Sequence, residues 1–421
     1  MKKYFLNILI LLIMVCSGCV QTSKNTSKDW QWRGENRNGM YDETGLLKEW
    51  PADGPELLWK FERLGEGHTS VAIAGEKIYI TGMHDDILML YVFDTTGNLL
   101  TEKEIGKEWN TNWNGTRSSA CINDGKLYIF NALGTLFCLD ETTLDEVWKK
   151  DLLTEFDGRN LMFGMTENPL IVGDKIFMTP GGEKNNNMVA LNKNTGALIW
   201  SSPGKGLLST YSSPLYIGDQ SVPMVVTWMA SPEEKEGRIH DNEIVAFHAE
   251  TGELLWSEAL PSQNEINPNT PLYIDGMILS VTGYRGGAWL HRLKNGGKTI
   301  ELVWKNDEMD NQMGGVIKIG DYLYASGHTN NNWFCVDWKT GETKYKVQDI
   351  GRGNIISADG MLYCYSERGE MFLVKPNPEK FEMVSSFKIT MGTNQHWAHP
   401  VIHQGVLYIR HGDTLMAYKI R

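Results

Sequence analysis

The chain has 421 residues, of which 41% are hydrophobic and 22% charged, and its formal net charge is −12. A chain this acidic lacks the cationic surface that nucleic-acid binding requires, so nucleic acid is excluded as a partner. No long segment has the 3.6-residue period of an amphipathic helix, and the composition therefore predicts an all-β fold with a large core.

The N-terminus has the pattern of a secretory signal, because Lys2 and Lys3 precede a short apolar run and small residues precede Cys19. It resembles a bacterial lipoprotein signal, in which residues 1–19 end at the cysteine that is lipidated. A plain cleaved signal is the alternative. Polar residues 20–28 are predicted to form a flexible tether, and residues 29–421 to form one domain.

An eleven-residue phrase recurs along this domain and ends in an aromatic residue. Its copies are 138–148 (CLDETTLDEVW), 190–200 (ALNKNTGALIW), 246–256 (AFHAETGELLW) and 335–345 (CVDWKTGETKY). The terminal aromatics are about 40 to 55 residues apart, a spacing typical of propeller blades. Each copy is flanked by Asp-Gly, Gly-Asp or Gln-Gly between apolar runs, which indicates a tight hairpin. Each repeat therefore predicts four antiparallel strands, A to D.

Eight repeats are predicted from the positions at which strand A begins. These start positions are Ser70, Ser119, Asn168, Ser213, Thr270, Gly315, Asn354 and His399. The last repeat has only three strands, whereas residues 56–62 form a strand D with no repeat before it. Pairing the two leaves no free sheet edge. The sequence thus predicts a single eight-bladed β-propeller of four-stranded antiparallel blades, with the last blade closed by an N-terminal strand.

Strand order assigns the loops to two faces. The A–B and C–D turns are short and similar, and they share one end of the propeller, the short-turn face. The B–C loops and the links between blades are long and individual, and they share the other end, the long-loop face. Because variable loops on a rigid scaffold usually carry binding, the long-loop face is the predicted functional face.

Polar and aromatic residues are predicted to surround the channel mouth, which is the long-loop end of the central channel. Two residues before the starts lie His68, Arg117, Thr166, Tyr211, Pro268, Met313, Arg352 and Trp397, and Glu167 and Asn269 lie one residue before two of them. The candidate ligand-binding residues are His68, Arg117, Glu167, Tyr211, Asn269, Arg352, Trp397 and His399. Two guanidinium groups near one axis favour an anionic ligand. A water-filled channel lined by structural polar residues is the alternative.

Further tryptophans belong to two groups. Trp109, Trp113, Trp289 and Trp333 lie in or beside long loops, where they are expected either to present stacking surfaces for sugars or a protein partner, or to pack between blades. Those of the repeat, Trp59, Trp148, Trp200, Trp256 and Trp304, share one register and are expected to be structural.

Motifs for metal binding or catalysis are sparse. No GxSxG, HExxH, CxxC or Walker-type phrase occurs, and no cluster has metal-ligand spacing, so no metal site and no catalytic residue is predicted. Cys121, Cys138, Cys335 and Cys364 are expected to be small core residues without a disulfide.

The repeated phrases ALNKNTGALIW, AFHAETGELLW and CVDWKTGETKY resemble the tryptophan-docking repeats of the PQQ-like propeller family over nearly all of residues 29–421. That family includes quinoprotein alcohol dehydrogenases and BamB-like outer-membrane assembly lipoproteins. In its dehydrogenase branch PQQ lies between a Trp and a disulfide of adjacent cysteines, Ca²⁺ is held by Glu, Asn and Asp, and an Asp is the base.

The dehydrogenase branch matches this chain in part. The resemblance would give Glu167 and Asn269 to calcium and Arg117 or Arg352 to a quinone carboxylate. However, the sequence has no adjacent cysteine pair and no Asp at the aligned positions.

The BamB-like branch matches better and implies a monomeric scaffold on the outer membrane, on its periplasmic or surface side, that docks an outer-membrane or periplasmic protein without a cofactor. The function predicted from the sequence is therefore a lipid-anchored envelope propeller that binds or assembles partners through its long-loop face. A glycan-binding or glycan-processing propeller and a PQQ- and calcium-dependent dehydrogenase are the two alternatives.

Overall fold

The computed structural model describes residues 29–182, 186–202, 206–235, 239–262, 264–348 and 350–421. The signal peptide, the tether and Cys19 lie outside these residues. In the described part, eight four-stranded antiparallel blades form one ring, and the predicted eight-bladed propeller is confirmed. Two short helical turns, Leu152–Glu155 and Asn295–Gly297, are the only helical segments among the described residues.

The first four blades follow one another in chain order, each given from strand A to strand D. Blade 1 is Ala72–Ala74, Lys77–His84, Ile87–Asp94 and Leu99–Lys107; blade 2 is Cys121–Asn123, Lys126–Phe130, Thr135–Asp140 and Glu146–Asp151. Blade 3 is Leu170–Val172, Lys175–Met178, Val189–Asn192 and Leu198–Ser201; blade 4 is Leu215–Ile217, Met224–Lys235, Ile239–His248 and Leu254–Ala259. A short extra strand, Leu208–Ser209, pairs with strand B of blade 4.

The remaining blades repeat the pattern. Blade 5 is Leu272–Ile274, Met277–Thr282, Gly287–Lys294 and Thr299–Asn306; blade 6 is Val316–Ile319, Tyr322–Ser326, Trp333–Asp337 and Thr343–Val347. Blade 7 is Gly353–Ala358, Met361–Ser366, Glu370–Lys375 and Glu382–Lys388; blade 8 is Val401–His403, Val406–His411, Thr414–Lys419 and Glu56–Phe61.

The ring closes where the two ends of the domain meet. Glu56–Phe61 pairs antiparallel with Thr414–Lys419, which places Trp59 opposite Ala417. The predicted N-terminal closing strand is therefore confirmed. Pairing of this kind removes the free edge that either segment would otherwise expose.

The core lies between the blades. Among the described residues, buried apolar side chains form eight clusters, and each cluster joins two neighbouring blades. At five joints the strand-D tryptophan donates its indole N–H to a backbone carbonyl of the next blade, at 2.9 to 3.2 Å; the pairs are Trp59 with Thr95, Trp148 with Lys193, Trp200 with Ala249, Trp256 with Gly297 and Trp304 with Trp338. The repeat tryptophans are thus inter-blade contacts.

The close approach of tryptophan to backbone explains the glycine of the repeated phrase. Gly252 adopts φ +75°, and a Cβ there would lie 2.5 Å from the ring of Trp200. Both facts favour glycine, which tolerates a left-handed backbone and leaves room for the indole.

The segment before the closing strand fills the channel from the short-turn face. Asp29 accepts hydrogen bonds from Asn123 and from the backbone of Asp124, both at the A–B turn of blade 2. The chain then rises inside the channel, turns over, and descends as Met40–Tyr41, which pairs parallel with Gly353–Ala358. We call residues 29–41 the plug.

Candidate ligand-binding pocket

A cavity of about 330 Å³ lies at the channel mouth, on the long-loop face. All eight positions that lie two residues before a predicted strand-A start line it: His68, Arg117, Thr166, Tyr211, Pro268, Met313, Arg352 and Trp397. His399, which is itself a start position, also lines it. A volume of this size suits a small ligand or one unit of a longer one.

Glu167 and Asn269 do not reach this cavity, so their predicted place at the mouth needs correction. Glu167 is fully buried, and its carboxylate accepts hydrogen bonds from the backbone N–H and the hydroxyl of Thr179. Asn269 donates to the carbonyl of Asn311 at 2.8 Å. Side chains alternate along an extended chain, and a residue one position from a pocket-lining residue therefore points into the blades.

Three aromatic rings form one wall of the pocket. Trp397 lies between His68 and Trp113, with ring centroids 5.0 Å and 5.3 Å away and interplanar angles of 46° and 49°. Trp113 is 50% exposed, whereas Trp289 and Trp333, which the sequence also places beside long loops, are buried in the blades. Of these loop tryptophans, Trp113 therefore offers a free ring face to a ligand.

Left-handed backbone conformations occur at the rim. Trp113, Tyr284 and Arg285 have φ values of 45°, 53° and 61°. Non-glycine residues adopt this region at a cost, and such residues cluster at binding sites. The backbone N–H of Tyr284 donates to Nδ1 of His328 at 3.1 Å, which holds this part of the rim. Burial, together with the charge of Arg352, lowers the pKa of His328 to about 4, so the ring is neutral at pH 7.

Arg117 is held in place by backbone carbonyls. Its guanidinium donates to the carbonyls of Gly115 at 2.6 Å and Asn112 at 3.0 Å. Burial lowers its pKa to about 10, and the charge of Glu108 partly opposes this effect. Arg117 is therefore a cation at neutral pH whose hydrogen bonds go to neutral groups.

Arg352 has a carboxylate partner instead. Its Nε lies 2.9 Å from the carboxylate of Glu367, and its Nη1 donates to the carbonyl of His328. The same region forms an open hollow beside the pocket, which shares Tyr284, His328 and Arg352 with it. The binding surface thus continues beyond the closed part of the mouth.

No aspartate or glutamate is among the described residues that line the pocket. Carboxylates act on the pocket from outside it: Glu367 is paired with Arg352, and the charge of Glu108 acts on Arg117. Glu265 contributes to the raised pKa values of Tyr211 and Tyr284, for which burial is the main cause. The protein as a whole is acidic, at −12, whereas the charged side chains among the described lining residues are arginines.

His68 has buried ring nitrogens that lack hydrogen-bond partners among the described residues. Burial lowers its pKa to about 3, and the charges of Arg117 and Arg410 act in the same direction. A buried unpaired polar group costs about 1–3 kcal/mol. Because both nitrogens are buried, His68 presents its ring carbons to the pocket rather than a hydrogen-bonding group.

The plug supplies the pocket floor. Trp32 lines the cavity and packs edge-on against His399, with ring centroids 5.2 Å apart. Four lining residues were not predicted from the sequence, because the prediction used only the residues next to the strand-A starts; they are Trp32, Tyr284, Gln312 and His328. The phrase WQWRG, at residues 30–34, was the one sequence feature that could have indicated an aromatic pocket floor, because it lies in a segment without a strand pattern.

No group of three or more His, Cys, Asp or Glu side chains among the described residues is placed to hold a metal ion. Within the same residues, no helix has the length and apolar character needed to cross a bilayer.

The fold and the docked tryptophans define an eight-bladed PQQ-like propeller. The family model described as "Outer membrane protein assembly factor BamB" matches residues 88–347. The chain belongs to this family. The family resemblance seen in the repeated phrases is thereby confirmed.

The curated relatives that match part of this chain are quinoprotein dehydrogenases. The quinoprotein ethanol dehydrogenase of Pseudomonas aeruginosa is 29% identical over 146 residues, which are 34% of this chain and 22% of the relative. The quinoprotein alcohol dehydrogenase PedH of Pseudomonas putida is 26% identical over 165 residues, 38% of this chain and 26% of the relative. The chain thus spans about a quarter of the length of these curated relatives.

Solved structures show the same fold at low identity. BamB from Moraxella catarrhalis has a TM-score of 0.64 and 14% identity, over 87% of this chain and all of that one. The quinohemoprotein alcohol dehydrogenase ADHIIG from Pseudomonas putida HK5 has a TM-score of 0.65 and 12% identity, over 94% of this chain and 80% of that one. At these identities the similarity establishes the fold alone.

The pocket residues do not fit a calcium-held quinone. Calcium takes six to eight oxygen ligands, which usually include carboxylates, and no carboxylate is among the described residues that line the pocket. Glu167, the matching residue type, is turned away and hydrogen-bonded to Thr179. The four cysteines of the described chain are free and buried, and no two are adjacent in sequence. The donor set required by the dehydrogenase branch is therefore not assembled at this mouth.

Proposed function

We propose that this protein is a lipid-anchored propeller of the cell envelope that binds its target through the long-loop face, with the channel-mouth pocket at the centre of the contact. The observation that carries the proposal is that all eight residues two positions before a predicted strand-A start line one cavity. An exposed tryptophan and a lining without carboxylates are features of a binding site rather than of a packed seam.

The position of the plug supports an orientation for the pocket. Asp29 lies at the short-turn face, and residues 20–28 would join it to Cys19. Nine residues reach at most about 30 Å when fully extended. A lipid on Cys19 would hold the short-turn face towards the outer membrane and leave the long-loop face free.

The same face offers apolar contacts around the pocket. Met162 is 65% exposed, and its carbonyl accepts a hydrogen bond from Asn112, next to Trp113. Exposed apolar side chains beside the pocket add contact area for a macromolecular target, which agrees with an assembly or scaffold role for a monomeric propeller. We assign no catalytic residue and no cofactor to this role.

Position-specific photocrosslinking in the intact envelope tests the proposal. A benzophenone amino acid would replace Trp113 on the long-loop face, Asp124 on the short-turn face or Leu302 on the outer rim. We expect adducts from position 113 that are absent from positions 124 and 302. Adducts confined to the short-turn face or the rim would contradict the proposal.

The aromatic wall favours one more specific function, the binding of a glycan. Trp113 and Trp397 present tilted ring faces at the pocket, a typical surface for sugars.

The quinone alternative is tested separately by titrating the protein with PQQ and Ca²⁺. Saturable uptake with dye reduction would support oxidation and overturn this assignment.

A further inference from the structure

We propose that the pocket binds an acidic sugar, a uronate unit of a longer glycan, with its carboxylate at Arg117 and its ring over Trp113 and Trp397. This inference rests on the proposed binding function of the long-loop face and names the class of ligand. Four features of the pocket carry it: its charge, the shape of its aromatic wall, its unused hydrogen-bonding groups and its open side.

The charge of the pocket favours an anion. Arg117 is mostly buried, and its hydrogen bonds go to carbonyls rather than to a carboxylate. Arg352 also lies at this mouth, but it is paired with Glu367, so Arg117 is the main cationic group of the pocket. Carbonyls of Gly115, Asn112 and Trp113 take three of the five N–H donors of Arg117, which leaves two for a ligand carboxylate. No carboxylate among the described residues that line the pocket competes for them.

The shape of the aromatic wall favours a puckered ring over a flat one. His68, Trp397 and Trp113 are tilted by 46° and 49° from one ring to the next. On the other side, Phe163 and Tyr211 are tilted by 42°. A flat polycyclic ligand needs two parallel walls, whereas the C–H groups of a sugar can contact a faceted surface.

Unused polar groups match the hydroxyls of a sugar. The hydroxyl of Tyr211 accepts from the backbone N–H of Phe163 at 3.3 Å, which leaves its own O–H to donate. Gln312 lines the pocket and donates to Tyr284 at 3.2 Å, which leaves its amide oxygen to accept. A hydroxyl-rich ring can satisfy groups that an apolar ring would leave unpaired.

The open side of the pocket favours a unit within a chain. In addition to the residues that it shares with the pocket, the adjoining hollow is lined by Arg285, Thr329, Asn331 and Glu367, and the carboxylate of Glu367 is paired with Arg352. Polar and cationic side chains there can contact the neighbouring sugars. A single bound monosaccharide would leave this surface unused.

Calorimetry with three probes tests the ligand class. The first probe is a tetramer of galacturonate, the second is its methyl ester, which has the same rings without the charge, and the third is a naphthalene dicarboxylate, which is acidic but flat. We expect the acid tetramer to bind at least about tenfold more tightly than the ester, the ratio that one charged hydrogen bond provides. The flat acid should bind more weakly than the tetramer.

Substitutions assign the two halves of the contact. Trp113→Ala should weaken both tetramers by about the same factor, at least threefold. Arg117→Lys keeps the charge but loses the planar fork, and Arg117→Gln loses both, so the preference for acid over ester should shrink stepwise. Leu302→Ala, which removes an exposed side chain of the outer rim, is the matched control and should bind like the wild type. Thermal melting confirms that each variant is folded.

The outcomes separate this inference from the function on which it rests. Equal binding of acid and ester, or tighter binding of the flat acid, would overturn the uronate assignment. Absence of binding by all three probes, with crosslinking still confined to position 113, would overturn the uronate and leave the binding function standing. Failure of that crosslinking pattern as well would overturn both.

Discussion

Arg33 and His399 are joined by a 2.8 Å contact between guanidinium Nη1 and imidazole Nδ1, although they lie 366 residues apart. His399 Nε2 lies 3.0 Å from the carbonyl of Met313, so the ring donates there and accepts from Arg33. Burial lowers the pKa of His399 well below its usual value, in agreement with a neutral ring. This contact joins the plug to blade 8 and fixes the floor of the pocket.

Replacing Arg33 should destabilise the propeller. Arg33 is 5% exposed, and Arg33→Gln would leave Nδ1 of His399 and the carbonyl of Asn38 without their donor. We expect the free energy of unfolding to fall by about 2–3 kcal/mol in denaturant titration. Arg159→Gln, at an exposed arginine, is the control, and an equal effect of the two substitutions would contradict the structural role of the plug.

The docked tryptophans should contribute far more stability than the pocket tryptophan. Trp200 is 8% exposed and packs over Gly252, whereas Trp113 is 50% exposed. Trp200→Ala should lower the free energy of unfolding by about 3 kcal/mol or more, and Trp113→Ala by less than about 1 kcal/mol. Calorimetric melting measures both. Similar losses of unfolding free energy for the two variants would show that Trp113 is a packing residue rather than an exposed ligand contact.

Burial of Glu108 makes stability depend on pH. Burial raises its pKa to about 7 from 4.5, although the backbone N–H groups of Trp109 and Ala132 oppose this rise. Because the folded-state pKa is raised, the stability that Glu108 contributes is complete below about pH 4.5 and is lost as the pH rises through about 7.

Comparing wild type with Glu108→Gln isolates this effect. Between pH 5 and pH 8 the variant should gain stability relative to the wild type, by on the order of 2 kcal/mol in denaturant titration. Glu104→Gln, at an exposed position of the preceding strand, is the matched control. A difference between Glu108→Gln and wild type that stays constant from pH 5 to pH 8 would contradict a raised pKa at Glu108.

Lipidation of Cys19 is tested by Cys19→Ala. The variant should move from the membrane fraction to the soluble fraction of the envelope, because the lipid is the proposed anchor. A short-turn variant with an intact Cys19, Asp124→Asn, should stay with the membrane. Membrane association of Cys19→Ala equal to that of the wild type would argue against acylation.

The fold was predictable because each repeat has strong local signals. The docked aromatics and the Asp-Gly hairpins fix four strands per repeat, and the unpaired strand at Glu56–Phe61 predicts the closure. Asp124 and Asp275, for example, have the positive φ that such hairpins require.

The pocket was predictable only where strand register determines it. His68, Arg117, Tyr211, Arg352 and Trp397 follow from counting back two residues from each start. Glu167 and Asn269 were misplaced, because the count does not include the side-chain alternation that turns neighbouring residues away. Trp32, Tyr284 and His328 lie on the plug and on long loops, whose course depends on tertiary packing rather than on a repeat.

Hydrogen exchange with and without the galacturonate tetramer is the decisive measurement for ligand binding at the channel mouth, because it locates the contact without any substitution. We predict slower exchange in residues 109–117 and 390–398, which carry Arg117, Trp113 and Trp397 at the mouth. Slower exchange at the short-turn face instead, or an unchanged pattern at saturating ligand, would contradict this prediction.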